Sequence, residues 1–261
     1  MTKPDLAAPV PDANRLTLAH ELLLLALAAP AAGLRDHTLD RAVAGGLLGE
    51  LALRGLVRLT PAALQLSPIA LDALPHLRAT VPALALTLEQ LLATREPYAP
   101  AEWVAVLALR GSELRQILLH ELGAARLVEA ASASSVAGRP AAAQPSALID
   151  AAPLRLAREQ LRAVVLHGVQ ATARDRLQLS LLCGCGLEGV FLQADERRRV
   201  RPRLIQLTRH EPIGEAVRRP HRPRMHVAGQ ERFPEARLSD LLAWLGLPAG
   251  LVERLAFFWR G

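Results

Sequence analysis

The sequence predicts a mainly α protein, a single globular helical domain with short β-hairpins. Two observations carry that prediction. Hydrophobic residues make up 51% of the chain, mostly as Ala and Leu with few β-branched runs, a composition that favours helices. Apolar residues also recur at helical spacing, while strand-like runs are short and no strand–helix–strand rhythm marks a parallel sheet. A chain of 261 residues can bury one sizeable core, and its length does not demand two domains.

Taken in order, residues 1–14, MTKPDLAAPVPDAN, hold three prolines and read as a flexible N-terminal tail. LTLAHELLLLALAAPAAGL follows from Leu16 to Leu34. A signal peptide, a membrane span and a buried helix are the three readings of this run. Asp5 and Asp12 offset Lys3 and Arg15 ahead of it, so there is no clean positive leader. His20 and Glu21 interrupt it, leaving an apolar stretch well short of the ~20 residues of a span. Thr17 precedes Glu21 as a helix cap precedes a first-turn acid. The expectation is a core helix to about Ala29, in an intracellular protein.

After a turn around Pro30 and Gly33, Leu39, Val43, Leu47, Leu48 and Leu51 recur at helical spacing. Gly45, Gly46 and Gly49 line a face that permits close helix contact. Gly55 is the expected C-cap, LVRLT the next strand and LQLSPIA its hairpin partner. Helix is expected again from about Leu86 to Thr94, from about Ala101 with Trp103, and in ELRQILLHELGAARLV up to Gly123, with a strand after it. Residues 130–147, rich in Ala, Ser, Gly and Pro, read as a loop or a poorly ordered hairpin. LRLAREQLRAVVLHGV and RDRLQLSLLCGCGLEGVFL are two more helices. An arginine-dense segment, Arg197 to Arg224, then links the body to a last amphipathic helix. Residues 15–220 form the predicted domain and 221–261 an amphipathic extension packed on it. That extension holds Trp244, Phe257, Phe258 and Trp259, which suit either core packing or a bilayer interface. Its mixed polar face, with Asp240 and Glu253 beside Arg254 and Arg260, favours packing.

The net charge is +6, and Lys3 is the only lysine, so the positive charge is almost all arginine. Codon bias in a GC-rich bacterial source accounts for both the arginine and the alanine excess. The charge suits an acidic partner, an anionic membrane or a nucleic acid. Cys183 and Cys185, two apart on a helix, point about 200° away from each other and would not share a metal. No P-loop, GxGxxG, HExxH or GxSxG motif is present, so no catalytic residue, metal or cofactor is assigned. His120 reads as a surface residue and His167 as helix-interior. Glu21 and Glu50 sit inside apolar helices, where a buried acid pair competes with capping or a solvated edge.

LTLAHELLLLAL followed by AGGLLGELALRGLVRL resembles the opening of the Golgi phosphoprotein 3 family. Gly46 through Gly55 carry the second motif, with Glu50, Leu51, Ala52, Leu53, Arg54 and Gly55 in order. RDRLQLSLLCGCGLEGVF and RPRLIQLTRHEPIGEAVRR look like the family's late helices. The resemblance implies a helical domain with a hairpin that can mediate self-association. It also implies a non-enzymatic, cytoplasmic protein held peripherally at membranes, because the best-known members bind phosphatidylinositol 4-phosphate, contact glycosyltransferase tails and engage a vesicle coat.

In that family a tryptophan and three arginines form the head-group pocket. The tryptophan position falls here at Arg35 and the first arginine at Ala44, while Arg110 and Arg115 are available for the later pair. Arg35, Arg110 and Arg115 are therefore the expected lipid head-group residues. The family's N-terminal arginine cluster is absent from residues 1–14. The leading reading is a protein that binds anionic or phosphoinositide lipid through arginines, whose planar forks suit phosphate. The alternatives are a nucleic-acid-binding protein, resting on the basic stretch from Glu196, and a protein–protein adaptor. That basic stretch lacks aromatics for stacking bases.

Mass spectrometry of the protein recovered from cells should find Leu22–Leu27 retained. A chain beginning after Ala32 would show export and overturn the core-helix reading.

Overall fold

A computed structural model describes residues 16–28, 36–94, 98–129 and 148–218. The chain divides into two units, Met1–Pro223 and Arg224–Gly261. All described residues belong to the first. The predicted tail, the loop at 130–147, Arg35 and the C-terminal extension lie outside them.

The first unit is mainly helical, as the sequence predicts. Thr17 caps α1 (Leu18–Leu27): its Oγ1 accepts from the His20 backbone N–H at 3.3 Å. Leu18 and Leu22 to Leu25 are buried, so this leucine run is core, and no described helix is long and apolar enough to cross a membrane. Helix α2 (Asp36–Leu53) is the hub, touching α1, α4, α5, α6, α8 and α10. Every residue from Ala42 to Leu51 is buried, which explains a helix apolar on nearly all sides.

Its glycines make that crowding possible. A methyl group on Gly46 would stand 3.0 Å from the backbone of Ala19 in α1. One on Gly49 would meet Leu177, and one on Gly45 would meet Val217 and Leu181. Gly55, at φ +71°, ends α2 in the left-handed region, with Leu56 N–H returning to Leu51 O at 2.9 Å. The hairpin follows, β1 (Val57–Leu59) antiparallel to β2 (Leu64–Leu66), with Val57 opposite Leu66. Thr60 closes its turn through bonds of 2.9 and 3.0 Å to Ala63.

Helix α3 (Ala70–Thr80) was not legible in the sequence, and α4 (Pro82–Ala93) starts earlier than expected, with Pro82 in its first turn. Then come α5 (Pro100–Ala108), which buries Trp103, and α6 (Gly111–Ala124). Arg126, at φ +58°, turns the chain after α6. The strand expected there is a single antiparallel bridge between Val128 and Leu148. Helices α7 (Ala152–Leu166) and α8 (Ala173–Cys185) lie where expected, but α8 stops at Cys185, capped by Gly186 at φ +73°, short of the expected Leu192, and His167 is the exposed C-cap of α7 and not an interior residue.

The arginine-dense segment is also corrected. As far as Arg218 it is no linker, but folds as α9 (Ala194–Thr208) and α10 (Pro212–Arg218) after a 3₁₀ turn at Glu188–Val190. Helix α10 buries Ile213 and Val217 against α2, α5 and α8. Close contact again depends on glycine, since a Cβ on Gly184 would lie 2.9 Å from Gly214 O.

One polar cluster ties the early helices to a late one. Arg174 in α8 donates to Glu50 Oε2 at 2.9 Å, to Glu21 Oε1 at 3.0 Å and to Leu16 O at 2.7 Å. Glu50 also accepts from the Leu18 N–H at 3.0 Å and from Arg54 at 3.1 Å. Glu21 and Glu50 are thus neither an acid pair nor solvated. They are the two carboxylates that let a guanidinium sit inside the fold.

Replacing Arg174 with Met should remove the guanidinium that joins Glu21 to Glu50, leaving Glu50 to Arg54 and the Leu18 N–H. Chemical denaturation should then report a loss of about 3–5 kcal/mol, the cost of breaking a buried pair by removing one partner. Unchanged stability would show that water already satisfies Glu21 and Glu50.

Candidate functional site

The sequence nominates arginines, and the structure sorts them by what already holds them. Arg110 precedes α6 and binds Glu113 with a bidentate fork, at 2.8 Å to each oxygen. Arg115, one turn into α6, reaches back to α2, with Nη1 3.1 Å from Asp36 Oδ1 and Nε 2.8 Å from Asp40 Oδ1. Asp40 packs against Gly111, the first residue of α6, where any side chain would collide with it. Burial pushes the Asp40 carboxyl up, Arg115 opposes that, and Asp36 adds to it. Ala44, one turn further along α2, is fully buried.

The α2–α6 junction therefore brings Arg115 together with two carboxylates, while Arg110 is held within its own helix. Asp36 is 86% exposed, so its hold on Arg115 is that of a surface pair, about 0–1 kcal/mol. A phosphate dianion could displace it, because it brings more charge to the same fork. Arg35 precedes the first described residue of α2.

A second group of arginines lies on α7 and α9. Arg162 of α7 grips Glu196 of α9 through two bonds, 2.9 and 2.7 Å, and gives a further bond of 2.8 Å to Phe191 O. The Arg162 bonds, with the Gln193 N–H, bring the Glu196 carboxyl down to about 2. Arg203 donates to Val164 O at 3.0 Å, a second staple between these helices. The helix period turns the remaining arginines outward. Arg197, Arg198, Arg201 and Arg209 are exposed, and none makes an ion pair among the described residues. Arg198, Arg201 and Ile205 share one stripe of α9, and Ile205 is 57% exposed.

One arrangement escaped the sequence reading. Thr17 N–H donates to His20 Nδ1 at 3.3 Å, which assigns the ring proton to Nε2, 2.8 Å from Glu121 Oε2. The other oxygen of Glu121 accepts from the Ala83 N–H at 2.8 Å. Thr17, His20 and Glu121 thus stand as a chain of hydroxyl, imidazole and carboxylate, joined at its far end by an ion-pair contact without hydrogen-bond geometry. Thr17 is 1% exposed, so no substrate reaches its hydroxyl and the chain serves to lock α1 to α6. The free cysteines are likewise shielded. Burial, reinforced by Glu188, pushes the thiols of Cys183 and Cys185 up to about 12. Among the described residues no cluster of three His, Cys, Asp or Glu side chains suits a metal.

A family model for Golgi phosphoprotein 3 (GPP34) matches residues 18–221. A search of curated proteins finds no match.

Because the thiolate is the reactive form, both cysteines should resist iodoacetamide in the native protein at pH 8 and react once it is unfolded. Their thiolate fraction, and with it the alkylation rate, should rise only as pH climbs toward the raised value. Fast labelling of the native protein at pH 8 would overturn the burial argument.

Proposed function

The chain belongs to the Golgi phosphoprotein 3 family, and from that membership we propose a non-catalytic protein that docks peripherally on anionic membranes and holds lipid head groups through arginines. The observation that carries this reading is the exposed stripe of α9, where Arg198 and Arg201 have no carboxylate partner among the described residues and flank an exposed Ile205. Each basic residue near an anionic bilayer contributes about 1 kcal/mol, and the isoleucine can enter the head-group layer. With a net charge of +6, a handful of such contacts suffices for reversible binding.

Head-group selection is proposed for Arg35, Arg110 and Arg115. At Arg115 the lipid phosphate takes the place of exposed Asp36, while half-buried Asp40 stays. Ala44 offers no guanidinium where the family has one, so discrimination among phosphoinositides, phosphatidylinositol 4-phosphate included, is weak. The hairpin is proposed as a self-association edge, since Leu66 and neighbouring Ile69 present apolar surface there.

Flotation with anionic and neutral vesicles tests the reading. The protein should rise with anionic vesicles at about 0.01 M salt and be released near 0.15 M, as the screening length falls from about 30 to 8 Å. Arg110→Glu and Arg35→Glu should each weaken binding. Asp36→Asn should strengthen it severalfold by freeing Arg115. Equal binding to neutral and anionic vesicles at low salt would overturn the mechanism.

A further inference from the structure

The turn between α8 and α9 encloses a cavity of about 310 Å³, lined by Arg158, Arg162, Gly189 and the segment Val190–Gln193. Arg155, Arg158 and Arg162 stand at i, i+3 and i+7 on α7 and so form one stripe of guanidinium groups. Arg197 of α9 closes the other side, its guanidinium 3.9 Å from where a side chain on Gly189 would begin. Three arginines thus meet at one turn: Arg158 and Arg162 line it, and Arg197 lies beside Gly189.

The carboxylates bonded to these arginines do not balance them. Glu196 is bound by Arg162 and by the Gln193 N–H, so it neutralises one guanidinium and has little capacity left. Glu188 is directed to the Cys183 thiol. Arg158 Nε is buried and has no hydrogen-bond partner among the described residues. A buried guanidinium N–H without an acceptor is costly, and an anion in the cavity removes that cost.

We infer that this turn is a binding site for a phosphate monoester, held by Arg158 and Arg197. Phosphate carries about 1.5–2 negative charges near neutral pH, which matches the two guanidiniums, Arg158 and Arg197, left after Glu196 takes Arg162. Two forks from opposite helices suit its tetrahedral oxygens better than a flat carboxylate. Val190 and Leu192 leave an apolar wall for the small organic group that the phosphate carries, and the cavity is at the small end of ligand sites. This site is separate from Arg110 and Arg115, and it does not depend on the membrane reading.

A phosphate ester can come free in solution or as a lipid head group, and two arms distinguish these. Calorimetry of the full chain at fixed ionic strength uses glycerol 3-phosphate, and flotation uses phosphatidylcholine vesicles carrying phosphatidic acid. Arg158→Gln with Arg197→Gln should weaken glycerol 3-phosphate binding about tenfold or more, given the strength of hydrogen bonds to charged groups. Gly189→Val, which fills the cavity and keeps every arginine, should do the same, while Arg115→Gln should not. Loss in the calorimetric arm alone assigns a soluble ester. Loss in both arms assigns a lipid head group, and either result supports the site. No saturable binding of glycerol 3-phosphate by the unmodified chain overturns it, as does unchanged binding by both cavity variants. Vesicle binding that fails in the unmodified chain, with calorimetry intact, counts only against the membrane function.

Discussion

A single buried guanidinium organises the first unit. Arg174 enters from α8, yet the groups it binds belong to α1, α2 and Leu16, just ahead of the α1 cap. A charge in that position is tolerated only when all its donors find acceptors, so Glu21, Glu50 and Leu16 O have to arrive together. The cluster therefore demands a register. Slide α1 along α2 by one turn and Glu50 loses both the Leu18 N–H and its share of Arg174. Apolar packing would accept several such arrangements, because Leu against Leu is nearly indifferent to register, whereas the ionic cluster accepts one.

The glycines work in the same direction by another route. Gly46 lets the backbone of α1 approach α2, while Gly45 and Gly184 let α10 approach from elsewhere. Helix α2 is consequently enclosed on all sides, and the only way for a polar group to live on it is to find an internal partner. Glu50 does so. Toward the N-terminal end of the helix, where burial lapses, Asp36 and Asp40 turn outward and meet Arg115 instead. The interior of α2 fixes the architecture, and its start is where charge becomes available.

What could be read in advance was local. Thr17 as a cap, Gly55 as a stop, the hairpin and the close-packing glycines depend on residues within a turn or two of one another, and periodicity exposes such relations. The ionic contacts depend on pairs far apart in the chain, as with Glu50 and Arg174, and no spacing rule reaches that far. For the same reason Arg115 could be nominated but its carboxylates, Asp36 and Asp40, could not, whereas Glu113 stands only three residues from Arg110. Helix α3 was missed because Pro75 interrupts it and few of its residues are buried. By periodicity alone α9 reads as a linker, because Val200, Leu204 and Leu207 are a thin apolar seam among many arginines, and only the family resemblance marks RPRLIQLTRHEPIGEAVRR as helical. Its charge pattern was legible, while its division into stapling and outward residues required the partner helix α7.

The outward face of α9 has its positive charge entirely as guanidinium. Such a group keeps its proton throughout the range of pH that cells reach, and it presents no primary amine. Enzymes that acylate lysine find nothing to modify along this stripe, so the usual way of erasing charge from a basic surface is closed. Its attraction is set by the surroundings: ionic strength, competing multivalent anions, or the density of acidic groups on the opposing surface. A surface built this way responds to changes in its partner far more than to changes in itself.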